Sequence, residues 1–243
     1  MELVVFFGIG FFAQLIDGAL GMAFGAISTT ALLSFGLSPL HASAIVHTAE
    51  VFKGASSAAH ILQKNFARKL VIELALAGSV GAIIGAYVLS NVDGQTIRLF
   101  VAAYLLLIGL SILLRALRAP PPCDTPPAFA VPLGIIGGFL DAIGGGGWGA
   151  IVTSTLLGSG HSPRMVIGSV NIAEFVVTVA AATTFFIEIG LVPLNALLGL
   201  VAGGVLAAPF GAYFAKRVPA RPLSAAVGVL VLSLAASQIA TSV

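Results

Sequence analysis

Asp141-Ala-Ile-Gly144-Gly145-Gly146-Gly147-Trp148-Gly149 occurs twice in this chain, once as written and once in a diluted form. It lies 124 positions after Asp17-Gly-Ala-Leu-Gly21-Met-Ala-Phe24-Gly25, and the alignment continues without a gap to Glu50 and Glu174. Across those 34 positions 14 residues are identical, among them an Asp, a Ser-Pro and a Glu. Apolar composition alone does not bring such polar residues into register. The chain is a duplication, and its polar groups come in related pairs.

Around this repeat the composition is that of a membrane protein. Apolar residues make up 58% of the 243 positions and charged ones only 8%, more apolar surface than one water-soluble core can hide. The apolar runs are about twenty residues long and lack dyad alternation, so they predict helices, not barrel strands. Met1-Glu2 supplies no basic start for a cleavable leader, and Cys123, alone in the Pro-rich joint 119–127, has no partner for a disulfide. The expected fold class is therefore an all-α membrane protein, a helical bundle of two repeats, 1–118 and 128–243.

Each repeat divides into five segments. The first half gives 3–20, 21–37, 39–62, 70–90 and 96–117; the second gives 128–143, 144–160, 163–187, 192–213 and 222–241. Basic residues then choose the relative orientation. With the loop at Lys64, Arg68 and Lys69 placed in the cytoplasm, an odd number of crossings per half puts Arg115, Arg118, Arg164, Lys216, Arg217 and Arg221 on the same side. An even number would require a basic loop near Glu188, where there is none. The expectation is two inverted repeats. The first two segments of each half are short, and tilted spans and re-entrant hairpins both fit them.

Glycine clusters at a junction between helices expose backbone N–H groups, which suits an anion. Gly144, Gly145, Gly146 and Gly147, and more weakly Gly21 and Gly25, are candidates for that role; close helix crossing through small residues is the alternative. Glu50 and Glu174 fall in the middle of the third segments. A carboxylate at that depth is costly unless paired, protonated or hydrated, which marks both as candidates for proton coupling or gating. His47, Glu50 and Gly54 share one helix face, and Asn171, Glu174 and Thr178 repeat it in the second half. Lys53, with Val177 as its counterpart, is a candidate counter-charge to an anion or a structural partner of Glu50. His47 suits either a proton relay or a satisfied core position.

Asp17 and Asp141 precede the glycine clusters, where they would cap the following helix or join proton coupling. Trp148 and Phe24 occupy one repeat position and serve as pocket wall or packing. No metal-ligand spacing, nucleophile triad, nucleotide loop or nucleic-acid signature emerges, and no cofactor is expected.

The chain resembles the sulfite exporter TauE/SafE family. The residues that carry the likeness are Asp141 to Trp148, the Leu-Leu-Xaa-Xaa-Gly-Xaa-Ser-Pro at 32–39 and 156–163, and the Gly-Ala-Tyr at 85–87 and 211–213. The resemblance implies a secondary transporter, not an enzyme, that moves sulfite, an organosulfonate or a similar small anion across the cytoplasmic (inner) membrane. A carrier of cations or metals, or a channel, using Glu50, Glu174 and His47 is the alternative. Expected partners are the small anionic substrate and the lipid bilayer; a second copy of the chain, giving a homodimer, is compatible with the sequence.

Overall fold

The computed structural model describes residues 2–20, 22–54, 66–117, 128–159, 161, 163–215 and 220–242. The joint 119–127 and Gly21 lie outside the described residues. Among the described residues the regular structure is helical throughout: α1 (Glu2–Leu20), α2 (Phe24–Ser34), α3 (Pro39–Lys53), α4 (Arg68–Asn91), α5 (Gly94–Leu117) and α6 (Ala130–Gly144) come first. A π turn (Gly149–Thr153) leads into α7 (Ser154–Gly158), followed by α8 (Pro163–Ile189), α9 (Leu194–Ala215) and α10 (Ala220–Ser242). By length and apolarity, α4 and the 165–189 part of α8 suffice to cross a membrane.

Local chemistry sets the breaks. Ser38 caps α3, its hydroxyl accepting from the His41 N–H at 3.3 Å, and Pro39 fills a first-turn position where a missing N–H costs nothing. Gly145, Gly146 and Gly147 all have positive φ, at 73°, 119° and 147°, so α6 ends there and the next helical turn begins only at Gly149. The second segments are consequently shorter than their apolar runs. With 11 residues, α2 is about 16 Å long, roughly half of a ~30 Å hydrocarbon layer. Unlike α4, it does not cross by itself, and in the second half the equivalent segment is just as short, the π turn running without a break into α7.

The pairing of helices repeats the duplication. First segments pack on fourth segments of the opposite half, α1 along α9 and α6 along α4, while fifth segments α5 and α10 pack on each other. Small residues allow this. A Cβ on Gly203 would stand 2.1 Å from the Phe7 carbonyl oxygen, and one on Gly138 2.1 Å from that of Gly78. Both exchanged pairs run parallel: Gly199 lies beside Phe6 and Gly203 beside Phe7 and Phe11, as Gly78 lies beside Gly138 and Gly85 beside Ala142.

The third segments fill the middle. α3 packs on α2, α8 and α9, and its Ala42, Ala44, Ile45, Val46 and His47 are wholly buried. α3 and α8 run in opposite directions, because Gly54 touches Phe175 while His47, two turns earlier, faces Phe185, nearly three turns later. The outer surface is apolar, with Leu76, Ile187, Val4 and Leu191 each more than 65% exposed. An apolar exterior around polar, charged interior helices is the distribution a lipid-embedded protein requires.

Candidate functional site: a charged recess between α3 and α8

The face expected on α3 meets its repeat on α8. Glu50, Lys53 and Gly54 from α3, Asn171, Glu174, Phe175 and Thr178 from α8, and Asp17 from α1 line one recess of about 320 Å³, counting its open mouth. Helical spacing brings the residues together: Glu50 and Gly54 are one turn apart, as are Asn171, Glu174 and Thr178. One ammonium faces three carboxylates. Lys53 Nζ bonds Asp17 Oδ2 at 2.9 Å, lies 4.0 Å from Glu50 Oε1, and stands 4.9 Å from the centre of the Phe24 ring. Neither glutamate receives a hydrogen bond from another described residue.

The two repeat-related aspartates are built alike. Asp17 Oδ1 accepts from the N–H groups of Ala23 and Phe24 at 2.8 and 3.2 Å; Asp141 Oδ1 accepts from that of Trp148 at 2.7 Å. Phe24 and Trp148 are repeat equivalents, so each aspartate caps the segment that follows it. Their second oxygens go to α3, Asp17 to Lys53 and Asp141 to His47 Nε2 at 3.2 Å. His47 Nδ1 stands 2.9 Å from the Ser43 carbonyl oxygen, while the Ser43 hydroxyl donates to the carbonyl of Ala142 at 2.5 Å. With that hydroxyl proton engaged, both imidazole nitrogens face oxygen acceptors. His47 is fully buried and does not line the recess.

The glycine run does not line it either. The N–H groups of Gly145 and Gly146 donate to the Asp141 carbonyl, and the Trp148 N–H goes to the Asp141 carboxylate. Gly146 instead meets Gly25: a Cβ on Gly146 would fall 2.3 Å from the Gly25 Cα. Thr29 donates its hydroxyl proton to the Gly145 carbonyl, tying the two glycine clusters together. Gly144 and Gly147 pack under the Tyr104 ring. The expected anion-facing N–H groups are turned inward because the positive-φ turn aims them at Asp141. Trp148, 1% exposed, packs on Gly78 and Gly137 and donates from Nε1 to the Val170 carbonyl at 3.3 Å.

The recess thus unites six charged or polar residues singled out from sequence, Asp17, Glu50, Lys53, Asn171, Glu174 and Thr178, and leaves His47, Asp141, Trp148, Gly25 and Gly144 to Gly147 in the packed layer outside it. Sequence reasoning passed over Ser43, Tyr104 and Phe175. Only Ser43 carried a signal, lying one turn before His47 on the same face.

Among known proteins, the model of the sulfite exporter TauE/SafE family matches residues 6–237. The chain is 40% identical over 241 residues to the probable membrane transporter protein YtnM of Bacillus subtilis (strain 168), covering 95% of this chain and 80% of that relative. No solved structure matches it. With a family match along nearly its whole length, an apolar exterior and a charged interior, the chain belongs to the sulfite exporter TauE/SafE family and is a multi-pass membrane transporter, not an enzyme.

Proposed function

We propose that the protein is a secondary transporter that moves small sulfur-containing anions, sulfite or an organosulfonate, across the cytoplasmic membrane with protons coupled to the movement. The observation that carries this reading is Lys53, an ammonium only 11% exposed that borders a recess between the two halves. A cation held at such depth is a ready counter-charge for a sulfonate or sulfite oxygen. The antiparallel meeting of α3 and α8, together with the exchanged packing of first and fourth segments, supports inverted halves with the site between them.

Charge balance supplies the coupling. An anion entering beside Glu50 and Glu174 is repelled by both carboxylates unless each carries a proton. The substrate and the protons therefore travel together. Asp17 stays ionised, since Lys53 and two N–H groups already compensate it. In proteoliposomes, sulfite uptake driven by an acidic exterior tests this reading: Glu174→Gln abolishes the acceleration by the pH gradient while the protein remains folded. Sulfite uptake in the variant that still follows the gradient removes Glu174 from the mechanism.

The excess of carboxylates over ammonium groups favours one rival, a cation carrier. Among the described residues, however, no three His, Cys, Asp or Glu side chains are arranged to hold a metal ion. Uptake of a divalent cation that ignores sulfite would establish the rival.

A further inference from the structure

Two groups in the recess have no partner of opposite charge at hydrogen-bond distance among the described residues. Glu50 comes no nearer than 4.0 Å to Lys53, and Glu174 receives no hydrogen bond from a described residue. Asp17, by contrast, is served on both oxygens. A third group is also unspent: the Thr178 hydroxyl, 1% exposed and lining the same recess, has no hydrogen-bond partner among the described residues. A buried hydroxyl without a partner is uncommon and is satisfied by whatever occupies the space it faces. The recess therefore presents one ammonium shared among three carboxylates, two of which receive no hydrogen bond from a described residue, and a hydroxyl without a described partner.

We infer that the preferred substrate is a zwitterion, a short aminoalkyl sulfonate, whose ammonium sits between Glu50 and Glu174 while its sulfonate takes Lys53. This deepens the proposed function and rests on it. The ammonium supplies the positive charge that a simple anion has to bring as a proton, so the zwitterion enters with both glutamates ionised. Lys53 keeps donors for a sulfonate oxygen beyond the one spent on Asp17, because an ammonium has three. Thr178 and the Asn171 amide complete the polar wall, and the Phe175 ring on the same helix covers the short alkyl chain. The two charges of the substrate are thus read by two different helices, the sulfonate by α3 and the ammonium by α3 and α8 together.

Taurine and isethionate test this directly, since they differ only by an ammonium in place of a hydroxyl. In proteoliposomes of the full-length protein, radiolabelled taurine is expected to enter at least tenfold faster than isethionate at neutral pH. Its rate should change little between pH 6 and 8, whereas isethionate uptake falls as the pH rises. Glu174→Gln and, separately, Glu50→Gln should close the gap between the two substrates, and Lys53→Gln should depress both. Ethanolamine, which has the ammonium without the sulfonate, should compete at least tenfold more weakly than taurine.

Isethionate or sulfite moving as fast as taurine overturns the zwitterion and leaves the anion reading standing. Equal competition by ethanolamine also overturns it, in favour of a plain cation site. Absence of flux for every sulfonate and for sulfite overturns both readings. The wild-type comparison needs no variant, so a glutamine variant that fails to fold does not shield the proposal.

Discussion

Gly25 and Gly146 touch backbone to backbone: a Cβ built on Gly25 would stand 2.6 Å from the Gly146 Cα, and the reverse distance is 2.3 Å. The two copies of the repeat cross at this point, and nothing larger than hydrogen fits. Gly146 also has φ 119°, a conformation other residues rarely adopt. Gly146→Ala is therefore expected to abolish recovery of monodisperse protein. Gly8→Ala, where no atom lies within 4 Å of the new methyl, should leave thermal stability unchanged or raise it slightly. Equal behaviour of the two variants would show that the crossing does not constrain the fold.

The Lys53–Asp17 pair is shielded from solvent and shares Asp17 with the α2 N-terminus. Removing one partner leaves a buried charge uncompensated, a loss of about 3–5 kcal/mol. Lys53→Gln should lower the unfolding midpoint in detergent and stop sulfite flux. Adding Asp17→Asn to it should recover much of the midpoint but none of the flux. Recovery of transport in the double variant would show that Lys53 only neutralises Asp17.

His47 and Asp141 are bonded across halves, with side chains 0% and 2% exposed. A double-mutant cycle of His47→Ala and Asp141→Asn, read by unfolding in a denaturing detergent, should give a coupling energy of roughly 1–3 kcal/mol. Strict additivity would mean that the contact contributes nothing beyond its two members.

Trp148 fills the space between Gly78 and Gly137, and its indole N–H reaches the Val170 carbonyl. Trp148→Ala should cost about 3–5 kcal/mol through the cavity it leaves. Trp148→Phe should cost less, with about 1 kcal/mol assigned to the lost hydrogen bond. Substrate affinity in Trp148→Phe should stay that of wild type, because the ring lies outside the recess; a large change in affinity would place it in the site.

Much of this arrangement could be read from residue order because duplication converts position into symmetry. The register that aligns Asp17 with Asp141 and Glu50 with Glu174 also predicted the helix boundaries to within a few residues at most ends. Glu50 and Glu174 do share one recess, as their common helix face suggested. What the order could not convey is which of two equivalent surfaces a side chain turns toward. Lys53 has Val177 as its repeat counterpart, so Asp141 finds no lysine in its own half; it takes His47, 94 positions away on α3. That substitution is a matter of three-dimensional packing. The glycine run poses a related problem. Its composition reveals free backbone conformations but not the direction of the N–H groups, and Asp141 collects them.

One helix thus answers to two masters. Lys53 and His47 stand six residues apart on α3, about 9 Å along its axis, and hold Asp17 of α1 and Asp141 of α6. Because both anchors ride on one helix, any slide of α3 along its axis moves the contacts of 2.9 and 3.2 Å at the same moment. The helix is a tie rod: a displacement at either anchor is carried to the other.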